Sequence, residues 1–257
     1  MWLYRTGKHS EYPLILYEYQ PDRRAIRPST FLKAFTGTLH VDGYQVYKTM
    51  LKHSAADDTL LYEHIQLSGC WAHARRYFHD ALKAQGKKMN KDSLAYQGLQ
   101  RCDALFGIEG HAKDFSVEDR YKLRQTKSKP LVDEYFTWLR SLNPTGKTKL
   151  GEAITYSLNQ EVYLRTFLKD GRLELSNNLA ERSIKPFVIG RKNFLFATTP
   201  SGAKASAWIF SLVETAKANG INPFDYLNWV LKTAPGLNLT EFPDRAEKLL
   251  PKCFHRD

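Results

Sequence analysis

Three groups of residues in this sequence could do chemistry. The first is Asp42, in His40-Val41-Asp42-Gly43-Tyr44. An acid at the C-terminal end of a buried strand is fixed by the strand backbone and open to substrate, a recurrent place for a metal ligand. Asp-Gly is also a common turn pair, and on these residues alone the turn is the favoured reading. The second group is Ser176-Asn177-Asn178-Leu179-Ala180-Glu181-Arg182-Ser183-Ile184-Lys185-Pro186. Glu181, Arg182 and Lys185 fall within about one helical turn. Flanking cations make Glu181 a poor solitary base and a good metal ligand, because they keep it ionised. An ordinary surface ion-pair helix has the same composition. Downstream, Arg191, Lys192 and Lys204 interleave with Phe194 and Phe196, which suits phosphates and stacked bases. The same pattern fits a strand with both rings in the core and its cations in solvent. The third group is Cys70-Trp71-Ala72-His73-Ala74-Arg75-Arg76. On a helix Cys70 and His73 share a face. Structural zinc needs four ligands, and no second pair has suitable spacing. Packing by Cys70 and hydrogen bonding by His73 therefore outweigh zinc.

These residues need elements to position them. Trp2-Leu3-Tyr4 and Leu14 to Tyr19 read as two strands around a hairpin turn at Gly7 to Ser10. Pro28-Ser29-Thr30 opens a short helix, with Ser29 or Thr30 as N-cap and Gly37 as its breaker. Thr38 to Val41 is a buried strand that delivers Asp42. A short helix through Tyr47 and Leu51, a strand at Ile65 to Leu67 and a helix from Cys70 to Ala84 follow. That order describes a mixed α/β unit. From Ser93 to Leu168 the pattern is helical throughout. Ser116 caps an acidic first turn, Pro130 starts a second helix, and Val132, Tyr135, Phe136 and Leu139 form a core face. Gly151 to Phe167 is a further helix. Asn177 or Asn178 caps a short helix holding Glu181 that ends by Pro186, and Asn193 to Thr198 is extended. Ser206 to Ala218 forms a helix with Ile209, Leu212, Val213 and Ala216 inward, stopped by Gly220. Pro223 starts a last amphipathic helix.

The chain of 257 residues is 42% hydrophobic and 13% aromatic, a globular composition. No apolar run approaches the ~20 residues of a membrane span, and the N-terminus lacks a signal-peptide layout. Cys70, Cys102 and Cys253 are odd in number and widely spaced, which points to a reducing cytoplasm. The net charge of +11 suits a polyanion such as nucleic acid. It suits solubility equally well, and charge alone leaves the two level.

Taken in order, these pieces resemble the insertion-sequence 66 transposases. The matching runs are VDGYQVY (41–47), CWAHARRYF (70–78), NNLAERSIKPFVIGRKNFLF (177–196) and SLVETAKANGINPFDYLNWVL (211–231). The resemblance implies a ribonuclease H-like α/β fold with a mixed sheet. Its catalytic domain would occupy residues 1–88 and 169–205, interrupted by a helical insertion at 89–168 and followed by a helical C-terminal element at 206–257. It implies a DDE set of three carboxylates holding two Mg²⁺ (or Mn²⁺) ions, with Asp42 the second and Glu181 the third. Arg182, Lys185, Arg191, Lys192 and Lys204 would position the DNA backbone, with His73, Arg75 and Arg76 on the DNA side. The implied partners are transposon-end and target DNA, a second copy or a full-length transposase, and no membrane. The first carboxylate belongs on a strand upstream of the hairpin. Neither Glu11 nor Asp22 matches it, so the chain resembles an N-terminally truncated reading frame. Two functions follow: a catalytic fragment with little cleavage alone, or an inactive DNA-binding or regulatory remnant.

Overall fold

Alternating aromatic and branched residues at the start of the chain do make strands, and almost everything after them is helical. The structure, a computed structural model, describes residues 1–56, 64–86, 90–143, 147–194 and 197–254. In chain order the elements are β1 (Trp2–Arg5), β2 (Ile15–Glu18), α1 (Ile26–Phe31), β3 (Gly37–His40), α2 (Gln45–Ala56), β4 (Ile65–Ser68), α3 (Trp71–Lys83) and α4 (Leu94–His111). There follow α5 (Val117–Leu123), α6 (Lys129–Ser141), α7 (Lys149–Asn159), α8 (Glu161–Leu164), α9 (Asn178–Phe194), α10 (Pro200–Ala218) and α11 (Pro223–Thr233). This is a mixed α/β chain with two small sheets. No helix among the described residues is long and apolar enough to cross a membrane. Two compact units divide the chain, residues 24–178 and residues 1–23 with 179–257.

In the unit of residues 24–178, β3 and β4 pair in parallel, with Gly37 opposite Ile65 and His40 opposite Ser68. Their C-terminal ends therefore share one edge, and Asp42 leaves from it. The core lies among the helices. Trp71 is fully buried, with its ring 5.2 Å from that of Tyr135, 6.1 Å from Phe136 and 6.4 Å from Phe167. Its indole N–H donates to the Leu164 carbonyl at 2.9 Å, so no polar atom of the ring is stranded. Val132, Tyr135, Phe136 and Leu139 are all buried, the face that their spacing predicts. α4 lies so close to α3 that a Cβ on Gly98 would sit 2.3 Å from the Phe78 ring, which is itself fully buried. Gly98→Ala is accordingly expected to destabilise the chain by about 1–3 kcal/mol in urea unfolding, since neither ring nor backbone has room to yield.

Several local expectations fail here for identifiable reasons. α1 begins at Ile26, ahead of Pro28, and Ser29 and Thr30 do not cap it. Their hydroxyls donate back along the helix, to Ala25 O and Ile26 O at 2.9 Å each. Pro130 stands in the first turn of α6, as its type predicts, but α6 is not separated from α5. The chain stays helical from Val117 to Ser141, through a π-helical turn at Arg124–Ser128. Lys129 N reaches Arg124 O, five residues back, and the register shift accommodates a proline that has no N–H to give. The helix read at Gly151 to Phe167 starts at Lys149, capped by Thr148. It breaks at Gln160, which leaves the helical region (φ −104°, ψ 1°), and continues as α8 and a 3₁₀ turn.

In the other unit, β1 and β2 form the expected antiparallel hairpin, Trp2 opposite Glu18. α9 does not stop at Pro186 but runs 17 residues to Phe194. Asn193 and Phe194 are thus helical rather than extended, and 195–196 lie outside the described residues. An interior proline costs about 3 kcal/mol. Opposing that cost, Ile184 and Phe187 pack against the buried Tyr17, with Phe187 5.7 Å from Tyr17 and 5.1 Å from Phe210. The inward face of α10 agrees with expectation at Ala216, which is buried with Leu212 packed beside it, and differs nearer its start. Ala203, Ala207, Ser211 and Thr215 are buried, while Ile209 is 50% exposed. Small side chains let α10 lie along β2, where its hydroxyls replace a neighbouring strand. Ile15 N donates to Thr215 Oγ1 at 3.0 Å and Tyr17 N to Ser211 Oγ at 2.8 Å. Thr215 Oγ1 also donates to Ile15 O. α10 ends before Gly220 and α11 opens at Pro223, both as expected, and Asn222 caps α11.

Candidate functional site

Val41 N donates to Ser68 O at 2.9 Å, which carries the strand ladder one residue past β3. The next residue, Asp42, is exposed, and its Oδ1 accepts from Tyr44 N at 2.9 Å. Asp42 is therefore both the turn residue and the strand-end acid that its sequence allows. Gly43 has φ +86° and lies against α7. A Cβ there would meet Tyr156 Oη at 3.1 Å and Gln160 Nε2 at 3.3 Å. Only glycine adopts that backbone at no steric cost, so Asp42-Gly43 works as a pair. Below the turn, the His40 imidazole donates its Nε2–H to Gly69 O at 2.8 Å, and burial pushes its pKa down to about 4. Burial, with Asp42 and Tyr44 adding to it, pushes the Tyr47 phenol up to about 12. Tyr156 also rises, through burial first and then Cys70, Tyr77 and Asp42, with Arg76 opposing. Two neutral phenols, of Tyr47 and Tyr156, thus stand near Asp42.

The Cys70 motif lies beside this turn. Cys70 is fully buried ahead of α3 and accepts from Asn177 N at 3.4 Å. Trp71 N donates to Leu175 O at 3.1 Å. The start of α3 thereby holds the segment that leads into α9. Asn177 does not cap α9, since its Oδ1 is buried and accepts no hydrogen bond. Tyr77 stacks on Tyr156 at 4.5 Å. His73 is half-buried, Arg76 is exposed, and Arg75 pairs with Asp103.

Glu181 stands half-buried in the first turn of α9, a favourable place for an anion. Arg182, Lys185, Arg191 and Lys192 are exposed along the same helix, and Lys204 is exposed on α10. Two residues that sequence reasoning missed anchor this helix start. Arg5 Nη1 donates to Ser183 Oγ at 2.7 Å and to Leu179 O at 3.3 Å, and the Tyr17 hydroxyl donates to Ser183 O. Both reach across more than 160 residues of chain, and no local pattern signals that. Asp42, His73, Arg75 and Arg76 thus belong to one unit, and Glu181 with the other five cations to the other. Among the described residues no three His, Cys, Asp or Glu side chains gather to hold a metal.

The chain matches the profile of the transposase IS66 family over residues 1–205 and that of the IS66 C-terminal element over residues 211–251. Two proteins of Sinorhizobium fredii are similar. The uncharacterized protein y4qI is 36% identical over 248 residues, covering 95% of this chain and 44% of the relative. The uncharacterized protein y4jD is 32% identical over 255 residues, covering 98% and 48%. The chain therefore spans about half the length of the curated relatives it matches. No solved structure matches it. With both profiles following one another along nearly the whole sequence, the chain belongs to the IS66 transposase family.

Proposed function

We propose that this chain carries two of the three carboxylates of a DDE transposase active site, Asp42 and Glu181, within a ribonuclease H-like catalytic domain. The observation that carries the reading is the placement of Asp42. It is an exposed acid at the C-terminal edge of a parallel strand pair, oriented by the Tyr44 amide on a glycine turn. Carboxylate oxygens suit Mg²⁺ or Mn²⁺. Asp42 and Glu181 fit such ions in type, and a third carboxylate completes the set. When bound, the ions supply charge stabilisation to in-line attack on a phosphodiester. The chain's own residues do the rest. Gly43, with Tyr156 and Gln160 packed against it, fixes the Asp42 turn. Arg182, Lys185, Arg191, Lys192 and Lys204 neutralise DNA phosphates without reading bases.

DNA binding by the chain is a direct test. With five such cations engaged, the logarithm of affinity should fall against the logarithm of salt with a slope of about −4 to −5, nearly independent of sequence. Titrations by fluorescence anisotropy between low and physiological salt measure it. An affinity unchanged by salt, or a strong preference for one sequence at equal salt, would remove the assignment of these cations.

A further inference from the structure

Within the unit of residues 24–178, where α3 and α4 meet Asn178, there is a cleft of about 470 Å³, lined by Ala72, Arg75, Arg76, His79, Phe106 and Asn178. Its size lies within the ~300–1,000 Å³ of pockets that enclose small ligands. Nothing assigned to Asp42 uses Phe106, His79 or Asn178. Residues 72, 75, 76 and 79 recur at three- and four-residue spacing, so they form one stripe of α3. Cys70, His73 and Tyr77 form the adjoining stripe, and Tyr77 stacks on Tyr156 beside Gly43. Arg76 belongs to both surroundings. It lines the cleft, and it lies close enough to Tyr156 to oppose the rise of that phenol's pKa. The cleft thus adjoins the stripe of α3 whose Tyr77 stacks on Tyr156, the residue that borders the Asp42 turn.

The walls of the cleft are chemically mixed. Phe106 is half-buried and packs against the main core, so its ring is held in place. Asp103, one turn earlier on α4, holds the Arg75 guanidinium. Arg76, His79 and the Asn178 amide complete a set of donors around an aromatic face. Inorganic phosphate would leave the ring unused, and an apolar ligand would leave the guanidiniums unused. Paired duplex DNA offers phosphates outside and keeps its base faces stacked inside. A nucleotide turned out of the stack offers both together. We propose that this cleft receives one unpaired nucleotide of the DNA substrate, its base against Phe106 and its phosphate at Arg76 and His79. The proposal rests on the reading of the chain as a DNA transposase.

The test uses the 257-residue chain and two labelled duplexes, identical except for one bulged adenosine. Binding of each is followed by fluorescence anisotropy, with free deoxyadenosine monophosphate as a third ligand. The bulged duplex is expected to bind about tenfold more tightly than the paired one, the scale of one base stacked on an aromatic side chain. Phe106→Leu, which keeps apolar volume but not the flat face, should abolish that ratio. His79→Ala, at the half-exposed rim, should reduce it without disturbing the core. Equal affinity for the two duplexes, still salt-sensitive, would overturn the nucleotide cleft and leave the DNA reading standing. No binding to either duplex would overturn both. Micromolar binding of the free monophosphate without any bulge preference would assign the cleft to a free nucleotide and overturn the proposal.

Discussion

Arg124→Met is expected to lower the unfolding free energy of the chain by about 3–5 kcal/mol, the cost of breaking a buried ion pair from one side. Arg124 is fully buried, and all five of its N–H groups are used. Nε and Nη2 donate to the two Glu109 carboxylate oxygens at 2.7 Å each. Nη1 donates to Phe167 O at 2.9 Å and Asp170 O at 2.7 Å, and Nη2 also to Leu173 O at 2.7 Å. Methionine would fill much of the volume. It would leave the largely buried Glu109 uncompensated and three carbonyls without their donor. Arg124→Lys should recover only part of the loss, because an ammonium cannot reproduce the fork. Urea unfolding with an unchanged slope would measure the difference. A loss below about 1 kcal/mol would mean the network is no stronger than a surface ion pair. The consequence reaches the site. Arg124 holds the segment from Phe167 to Leu173, and Trp71 and Cys70 hold its continuation at Leu175 and Asn177. Arg124 is thus a positioning residue for the approach to α9.

Asp42→Asn is expected to reduce DNA strand cleavage about 10³-fold in an assay that supplies the rest of the transposase, equivalent to about 4 kcal/mol of lost charge stabilisation. Asparagine keeps the acceptor for Tyr44 N, so the turn should survive while the charge is lost. That separation makes it a cleaner test than Asp42→Ala. Glu181→Gln should do the same from the other motif. On the proposed assignment of two carboxylates, the chain alone is expected to cleave little or not at all in Mg²⁺. Robust cleavage by the chain alone, abolished by Asp42→Ala, would show that its carboxylates suffice. Full activity of Asp42→Asn in the complete protein would remove Asp42 from the chemistry.

Much of the fold is legible in the sequence wherever a local pattern coincides with the tertiary one. The hairpin, β3, β4 and α3 follow from periodicity, and Ser116, Gly220 and Pro223 act as their types predict. Local rules fail where distant packing overrides them. Pro186 should end a helix, but Ile184 and Phe187 on either side of it pack into the cluster of Tyr17 and Phe210. α10 turns Ala, Ser and Thr inward because its partner is a bare strand edge that needs hydroxyl donors and acceptors, a need invisible from α10 itself. Arg124 reads as one more surface cation in a basic chain, and its carbonyl partners lie 43 to 49 residues away. The candidate site is split in the same way. Asp42 is legible as a strand-end acid and Glu181 as an acid in a first helical turn. Arg5, Tyr17 and Tyr156, which hold those positions, carry no sequence signal of the role.

The claim that Asp42 and Glu181 serve one metal-binding set is tested most directly by a double-mutant cycle on Mn²⁺ affinity, followed by electron paramagnetic resonance. Asp42→Asn and Glu181→Gln should each weaken binding by at least about tenfold. The double variant should bind no more weakly than the weaker single one, because ligands of one site are coupled. Independent, additive effects, or an affinity that either substitution leaves unchanged, would contradict it.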